Sequence, residues 1–226
     1  MSYKVCVVGT GIFATDAHLP ALKASKYFTP YSCFNRTKEK AEVFAKNADI
    51  KIIYDDMEDA FKDPEVNLVD ALLPVQFNLS AVKLAVKYKK NICVEKPIAA
   101  DLEQAAQIVK LSKENPDLII AVNEHWCYFK AVDALKEAVS KIGNVYSFTY
   151  SSTGQFNFAN KYLSTSWRRQ PKHIGGFLSD GGVHQLALLT GVLGQIRKVN
   201  AHTKRVRELS GPDDILYSLV EMDSGV

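Results

Sequence analysis

The chain has 226 residues, of which 47% are hydrophobic and 23% charged, a composition that excludes disordered and collagen-like proteins. Lys and Arg total 28 and Asp and Glu total 25, so the net charge of +3 gives no reason to expect nucleic-acid binding. The length corresponds to about one and a half domains at roughly 150 residues each. No apolar run is long enough to span a membrane, and the N-terminus begins a strand instead of a secretory signal. We therefore expect a cytoplasmic protein without membrane or nucleic-acid partners.

The first half of the chain alternates short apolar runs with amphipathic stretches, as parallel βαβ units do. Strands are predicted near residues 4–8, 29–34, 51–54, 68–73, 91–94 and 118–122. Helices are predicted near residues 16–25, 37–47, 56–62, 78–89 and 101–114. The last helix should begin with a capping pair formed by Asp101 and Gln104. These elements predict a doubly wound nucleotide-binding sheet.

The pattern changes after Asn123. A helix near 128–141 precedes strict alternation from Val145 to Ser151, which predicts an antiparallel strand. The remaining predicted elements are a long loop near 151–176, a helix near 180–193, and strands near 196–207 and 214–222. We predict an α/β chain with a Rossmann domain over 1–122 and an α+β substrate domain over 123–226. The second domain should contain a mostly antiparallel open sheet.

The four cysteines are widely spaced and form no CxxC pair. Three of them, Cys6, Cys33 and Cys93, lie within apolar runs that predict strands. Such residues are typical of buried free thiols in a reducing compartment. Including Cys127, the cysteines offer no zinc-ligand spacing, and we predict no metal site.

A glycine-rich motif follows the first predicted strand and opens a helix. Residues 9–14 read GTGIFA, which matches the pattern GxGxxA. Gly9 permits a tight turn, Gly11 lets the backbone approach a pyrophosphate, and the small Ala14 allows close packing of helix and strand. The helix N-terminus supplies N–H donors to phosphates. The motif predicts dinucleotide binding by Gly9, Gly11, Ile12 and Phe13.

The end of the second predicted strand indicates which dinucleotide is bound. An NAD site usually has an acidic residue there for the ribose 2′-hydroxyl. This chain has Asn35-Arg36-Thr37 at that place. Asn35 removes the carboxylate that would repel a 2′-phosphate, Arg36 can bind the phosphate, and Thr37 can add a hydroxyl. We predict NADP in preference to NAD; the alternative is that Arg36 is a solvated residue at a helix start.

Two further segments carry candidate catalytic groups. Glu95-Lys96-Pro97 ends the fifth predicted strand, where a lysine can hydrogen-bond a substrate oxygen and transfer a proton. Asp180 and His184 lie four residues apart at a predicted helix start, so the carboxylate can orient the imidazole. The alternatives are a surface lysine, an N-capping Asp180 and a core His184, and local spacing does not separate them.

Taken together, these motifs resemble the glucose–fructose oxidoreductase / inositol dehydrogenase / MocA (Gfo/Idh/MocA) family. The resemblance covers the whole chain in order: the glycine motif at 9–14, Pro74 at a strand end, EKP at 95–97, and the GG…DxxxH block at 175–184. Segments 72–78 and 167–184 look especially similar to fungal cytosolic NADP-dependent oxidoreductases of this family.

The resemblance implies hydride transfer between NADP(H) and a carbonyl or carbinol carbon, commonly of a sugar or polyol. Lys96 would polarise or protonate the substrate oxygen, His184 would be the general acid/base, and Asp180 would orient His184. The bond that corresponds to Lys96–Pro97 is often cis in similar proteins, so a cis bond is expected here. The resemblance adds further cofactor-binding residues, namely Leu73, Pro74, Glu95, Lys96, Asn123, Trp167 and Arg168.

The chain also departs from the family pattern. Asn78 stands where many members carry a histidine, a change that should alter local contacts without abolishing the chemistry. Tyr128 resembles a substrate-facing tyrosine of the dihydrodiol-dehydrogenase-like branch, although packing is the alternative, and Tyr162 lies in the aromatic loop. Family members run further than Val226 and generally pair through the second sheet, so we expect a truncated chain of a homodimeric protein. The alternative functions are a non-catalytic NADP-sensing regulator and a truncated cofactor-binding chain without turnover.

Overall fold

The structure, a computed structural model, describes residues 2–154, 161–164, 172–174, 176–208 and 212–226. Its contacts divide the chain into two units, Met1–Asn123 and Glu124–Val226. The assignment of the first unit to NADP and of the second to substrate stays a prediction.

The described part of the first unit contains one sheet of six parallel strands. They are β1 (Tyr3–Val8), β2 (Phe28–Phe34), β3 (Ile52–Tyr54), β4 (Leu68–Ala71), β5 (Asn91–Glu95) and β6 (Ile120–Asn123). Their order is β3-β2-β1-β4-β5-β6, which confirms the predicted doubly wound sheet. The order reverses between β1 and β4. In sheets of this kind, ligands bind beyond the carboxyl ends of the strands at that reversal.

Helices connect these strands. They are a π-helix (Ala14–His18) that runs into α1 (Leu19–Ala24), then α2 (Lys38–Ala48), α3 (Met57–Lys62), a 3₁₀ turn (Val75–Phe77), α4 (Asn78–Tyr88) and α5 (Leu102–Glu114). The predicted cap of α5 is present: the Asp101 carboxylate accepts hydrogen bonds from the backbone N–H and from the side-chain amide of Gln104, both at 2.8 Å. Asp101 thus satisfies one of the backbone N–H donors that a helix start leaves open, and the Gln104 side chain holds the carboxylate in place.

The central strand β1 is buried on both faces. Cys6 and Val8 lie in one hydrophobic cluster, whereas Val5 and Val7 lie in a second, and all four are fully buried. Alternate residues of a strand point to opposite faces, so an unbroken apolar run is what a sheet covered by helices on both sides requires. This burial fixes the sheet, and with it the positions of the strand ends.

The described part of the second unit combines helices with an antiparallel pair of strands. Its elements are a 3₁₀ helix (His125–Tyr128), α6 (Lys130–Lys141), a second 3₁₀ helix (Lys161–Ser164), α7 (Gly176–Asp180), α8 (Gly182–Leu193), β7 (Ile196–Lys204) and β8 (Ile215–Met222). β7 and β8 pair antiparallel, as predicted. Gly191 of α8 lies against Val132 of α6, where an added Cβ would be 3.1 Å from the valine side chain. A larger residue at position 191 would therefore require the Val132 side chain to shift by a few tenths of an ångström.

One prediction for the second unit needs correction. The predicted strand from Val145 to Ser151 is wrong, because these residues form no strand and Tyr146 is largely exposed. Alternation specifies which side chains would share a face, but a strand also requires a hydrogen-bonded neighbour. The helix predicted near 180–193 is present as α8 (Gly182–Leu193), and Gly181, followed by a second glycine of low helix propensity, separates it from the short α7 (Gly176–Asp180).

None of the helices in the described ranges is both long and apolar enough to cross a membrane. All four cysteines are free thiols; Cys6 and Cys33 are buried, Cys93 is half-buried and Cys127 is exposed.

Candidate functional site

Residues predicted to bind the cofactor lie at the carboxyl ends of five strands. Gly9 follows β1, Asn35 follows β2, Leu73 and Pro74 lie beyond β4, Glu95 ends β5, and Asn123 ends β6. The strands are parallel, so these residues lie along one edge of the sheet. The fold of the first unit therefore gathers positions that are more than 100 residues apart in the sequence.

The glycine loop has the geometry that a dinucleotide site requires. Gly9 has φ of +97°, its N–H donates to the Phe34 carbonyl at 2.8 Å, and a Cβ there would be 2.4 Å from the Leu72 carbonyl oxygen. Only glycine fits this turn. Gly11 is exposed, and a Cβ built on it would meet no described atom within 4 Å. The backbone at Gly11 is thus open to a phosphate, and the loop fits a dinucleotide cofactor.

A helical segment follows the loop over residues 12–24. Ile12 and Phe13 are half-buried at its start, and Ala14 is fully buried. The segment is a π-helix over Ala14–His18, an irregularity often found at functional sites. The Phe13 ring contacts the His18 ring edge-on, with 5.2 Å between centroids.

The end of β2 is tied to the glycine loop. The Asn35 amide donates to the Thr10 hydroxyl at 3.0 Å, and its carbonyl accepts the Thr37 backbone N–H at 2.9 Å. Arg36 is exposed, and its guanidinium lies 5.1 Å from the centroid of the Phe77 ring. This cation–π contact holds the guanidinium beside the 3₁₀ turn that follows β4. Asn35 therefore orients the turn, while Arg36 presents charge on its surface.

The turn after β5 is held by Asn78. The Lys96–Pro97 peptide is cis, as the resemblance implied, and Lys96 is half-buried. Asn78 is fully buried, and its amide nitrogen donates to the carbonyls of Glu95 at 2.9 Å, Pro97 at 3.1 Å and Ile98 at 3.4 Å. Asn78 thus anchors the backbone on both sides of Lys96.

A histidine that the motifs did not indicate bridges two carboxylates at this edge. His18 Nδ1 lies 2.7 Å from Asp70 Oδ2, and His18 Nε2 lies 3.2 Å from Glu95 Oε1. Burial alone would lower the pKa of the imidazole, but hydrogen bonds and attraction to both carboxylates outweigh burial and raise the pKa to about 9. At neutral pH, His18 is therefore a cation that links the helix after the glycine loop to β4 and β5.

The same network extends to β6. Asn123 donates from its amide nitrogen to Asp70 Oδ1 at 3.5 Å and accepts the Cys93 thiol at 2.6 Å. Burial, together with the charges of Asp70 and Glu95, raises the pKa of Cys93 to about 12. The thiol thus stays protonated as a donor, and Asn123 is positioned by two strands.

In the second unit, the partner that His184 contacts through Nδ1 is Glu124. The distance from His184 Nδ1 to Glu124 Oε1 is 2.7 Å, and both side chains are mostly buried. Trp126 stacks on the His184 ring, with 5.2 Å between centroids and 14° between planes. Asp180 is the last residue of α7, four residues before His184, and its predicted role is not tested by these contacts. The sequence motifs gave no role to Glu124, although it begins the segment that contains Tyr128.

The remaining predicted positions are distributed as follows. Tyr128 is 86% exposed at the end of its 3₁₀ helix, so it does not serve as packing within the second unit. Tyr162 lies in the 3₁₀ helix of the long loop, with Lys161 Nζ 5.5 Å from its ring centroid. Trp167 and Arg168 lie outside the described residues, as does most of the loop near 151–176.

Comparison with known families gives two matches along the chain. A Gfo/Idh/MocA model described as an oxidoreductase family with an NAD-binding Rossmann fold matches residues 3–123. The model of the C-terminal alpha/beta domain of that oxidoreductase family matches residues 136–226. The two matches follow each other in the order expected for one protein of this kind.

Individual relatives agree with these matches. The uncharacterized protein YMR315W of Saccharomyces cerevisiae is 50% identical over 222 residues, 97% of this chain and 63% of the yeast protein. A D-apiose dehydrogenase of Rhizobium rhizogenes is 26% identical over 225 residues, 98% of this chain and 63% of that enzyme. The crystal structure of an oxidoreductase from Thermotoga maritima superposes with a TM-score of 0.91 at 34% identity, covering all of this chain and 70% of its own. The chain thus spans about two thirds of the proteins it matches.

Proposed function

The chain belongs to the Gfo/Idh/MocA oxidoreductase family, and on that premise we propose that it is part of an NADP-dependent oxidoreductase. The reaction would transfer a hydride between the nicotinamide and the carbonyl or carbinol carbon of a sugar, polyol or similar small molecule. The observation that carries this proposal is the convergence of the glycine loop, Asn35, Lys96 and Asn123 on one edge of the sheet. That convergence supports a site where one cofactor could contact all four.

The proposed preference for NADP depends on Arg36. The loop of Gly9 and Gly11 would bind the pyrophosphate, and the Arg36 guanidinium would bind the 2′-phosphate. Asn35 supports this assignment because its amide is committed to Thr10 and Thr37 and brings no negative charge. A guanidinium pairs well with phosphate because it donates two parallel hydrogen bonds.

Replacing Arg36 with alanine is expected to raise the Kd for NADPH by about 10- to 100-fold, because a charge-assisted hydrogen bond is worth about 1.5–3 kcal/mol. The Kd for NADH should change little. Nicotinamide fluorescence titrations measure both constants. Lys38→Ala is the matched control, since Lys38 is a nearby exposed cation whose Nζ pairs with Asp55 at 3.0 Å. Equal affinities for NADPH and NADH that Arg36→Ala leaves unchanged would contradict the assignment.

The proposed chemistry assigns one role to each catalytic side chain. Lys96 would hydrogen-bond the substrate oxygen and stabilise the negative charge that develops on it. His184 would supply or remove the proton, because Glu124 holds its Nδ1 and leaves Nε2 for exchange with substrate. Asp180 would help to position these groups. The cofactor would supply the hydride when bound.

Turnover can be tested by following NADPH absorbance with a panel of aldehydes, ketoses and aldoses, and NADP⁺ reduction with sugars and polyols. We expect NADPH oxidation with at least one carbonyl compound and reversal with the matching alcohol. Tight NADPH binding without turnover would instead support the regulator or the non-catalytic chain.

Pairing of two copies through the second sheet, which the family resemblance implies, is a further part of the proposal.

A further inference from the structure

We propose that Glu124, His125 and His184 bind one zinc ion. Each side chain offers one donor atom, and the three donor atoms all lie within 4.8 Å of one another. Glu124 and His125 are adjacent in the chain, whereas His184 comes from α8. The fold of the second unit thus brings together three ligands that no cysteine pattern indicated.

The carboxylate of Glu124 has one oxygen occupied and one available. Oε1 accepts the Trp126 backbone N–H at 3.1 Å and contacts His184 Nδ1 at 2.7 Å. Oε2 is buried and has no hydrogen-bond partner among the residues that the structure describes. A buried acceptor without a partner is unfavourable, and a cation would satisfy it.

Both imidazole rings are held by neighbouring aromatic side chains. Trp126 stacks on His184, and Phe129 contacts His125 edge-on with 5.4 Å between centroids. The two histidine rings are themselves 5.3 Å apart. Rings held in this way lose little conformational freedom when they bind an ion, so the site is largely preorganised.

The ligand types favour zinc over magnesium and calcium. Two imidazoles and one carboxylate make a common set of three protein ligands for Zn²⁺, with a water at the fourth position. Tetrahedral binding at about 2.0–2.2 Å from each ligand places neighbouring donor atoms about 3.4 Å apart, a separation that falls inside the 4.8 Å within which the three donor atoms lie. Mg²⁺ and Ca²⁺ prefer sites made of oxygen ligands and should bind weakly.

The consequence of zinc binding rests on the proposed function. A zinc ion on His184 Nδ1 takes the one basic lone pair of the neutral imidazole, so Nε2 keeps its proton and cannot accept another. It also replaces the hydrogen bond between His184 and Glu124. Zinc should therefore inhibit hydride transfer at this site, and removal of zinc by a chelator should restore the activity.

Zinc binding is tested first without any activity measurement. Protein dialysed against Zn²⁺ is analysed for metal content, and isothermal titration gives the Kd. We expect one zinc per chain and weak or undetectable Mg²⁺ binding. His125→Gln removes one ligand and should raise the Kd for Zn²⁺ by at least about 10-fold. Loss of a residue that only supports a ligand already weakens metal binding by about 10- to 100-fold. His125 is exposed, so this change should leave the fold intact, which circular dichroism checks.

Two control variants separate this site from nonspecific binding. His202→Gln removes an exposed histidine of β7, and Cys127→Ser removes the exposed thiol that is closest in sequence to the site. Both should keep one zinc per chain. The proposal is overturned if the protein binds no zinc, or if His125→Gln binds as tightly as the unmodified protein. A third outcome is that zinc binds the unmodified protein but not His125→Gln, and that the bound zinc does not change turnover. That outcome would uphold the zinc site and count against His184 as the acid/base.

Discussion

Replacing Lys96 with methionine is expected to lower kcat for NADPH-dependent carbonyl reduction by about 10²- to 10⁴-fold, the usual contribution of a positioned acid/base group. Methionine keeps a similar length but has no ammonium group to hydrogen-bond the substrate oxygen. The turn itself should persist, because Asn78 holds its carbonyls through a side chain that the change leaves in place. NADPH should therefore still bind.

Stopped-flow absorbance of NADPH measures the hydride transfer step, and fluorescence titration measures NADPH binding. Lys83→Met is the matched control, since Lys83 is an exposed residue of α4 and should have no effect on either quantity. His184→Gln should lower kcat over the same range as Lys96→Met. If Lys96→Met retains more than about a tenth of the turnover, Lys96 does not carry the proposed role.

Replacing His18 with glutamine is expected to destabilise the protein by about 3 kcal/mol near pH 6.5. In the native protein, the imidazolium lies between the buried Asp70 and the mostly buried Glu95. Breaking a buried ion pair typically costs about 3–5 kcal/mol, because it leaves an uncompensated buried charge. Glutamine can donate a hydrogen bond to one carboxylate but carries no positive charge.

The effect should depend on pH with a definite sign. The pKa of His18 is about 9 in the folded protein and near 6.5 in an unfolded chain, a difference equivalent to about 3 kcal/mol. Because folding raises this pKa, the stabilisation is complete below about pH 6.5 and is lost as the pH rises through about 9. The native protein should lose stability over this interval, and the glutamine variant should lack that part of the decline.

Urea unfolding followed by circular dichroism at pH 6.5, 8 and 9.5 measures the free energy of unfolding of both proteins. His202→Gln is the control, since an exposed histidine should change the free energy by less than about 0.5 kcal/mol at every pH. Parallel pH profiles for the native protein and His18→Gln would show that His18 is not the charged bridge inferred from its contacts.

Much of the nucleotide-binding unit could be predicted from the sequence. The unbroken apolar run of Val5–Val8, the glycine motif and the capping pair of Asp101 and Gln104 are local patterns, and each has a direct structural cause. The strand-end location of Asn35 and Lys96 also followed from the pattern, because parallel strands place their carboxyl ends at one edge. The predicted strand from Val145 to Ser151 failed, since alternation alone does not supply a hydrogen-bonded neighbour.

The sequence by itself determined the family resemblance, the doubly wound sheet and the identity of Lys96 and His184 as candidate catalytic residues. Only the tertiary structure identified His18 as a charged bridge and Glu124 as the residue that contacts His184 Nδ1. His18 is 52 residues from Asp70, and Glu124 is 60 residues from His184. Secondary-structure periodicity reports only which neighbours along the chain share a face, whereas a buried charge takes its pKa and its role from groups that folding brings within hydrogen-bonding distance.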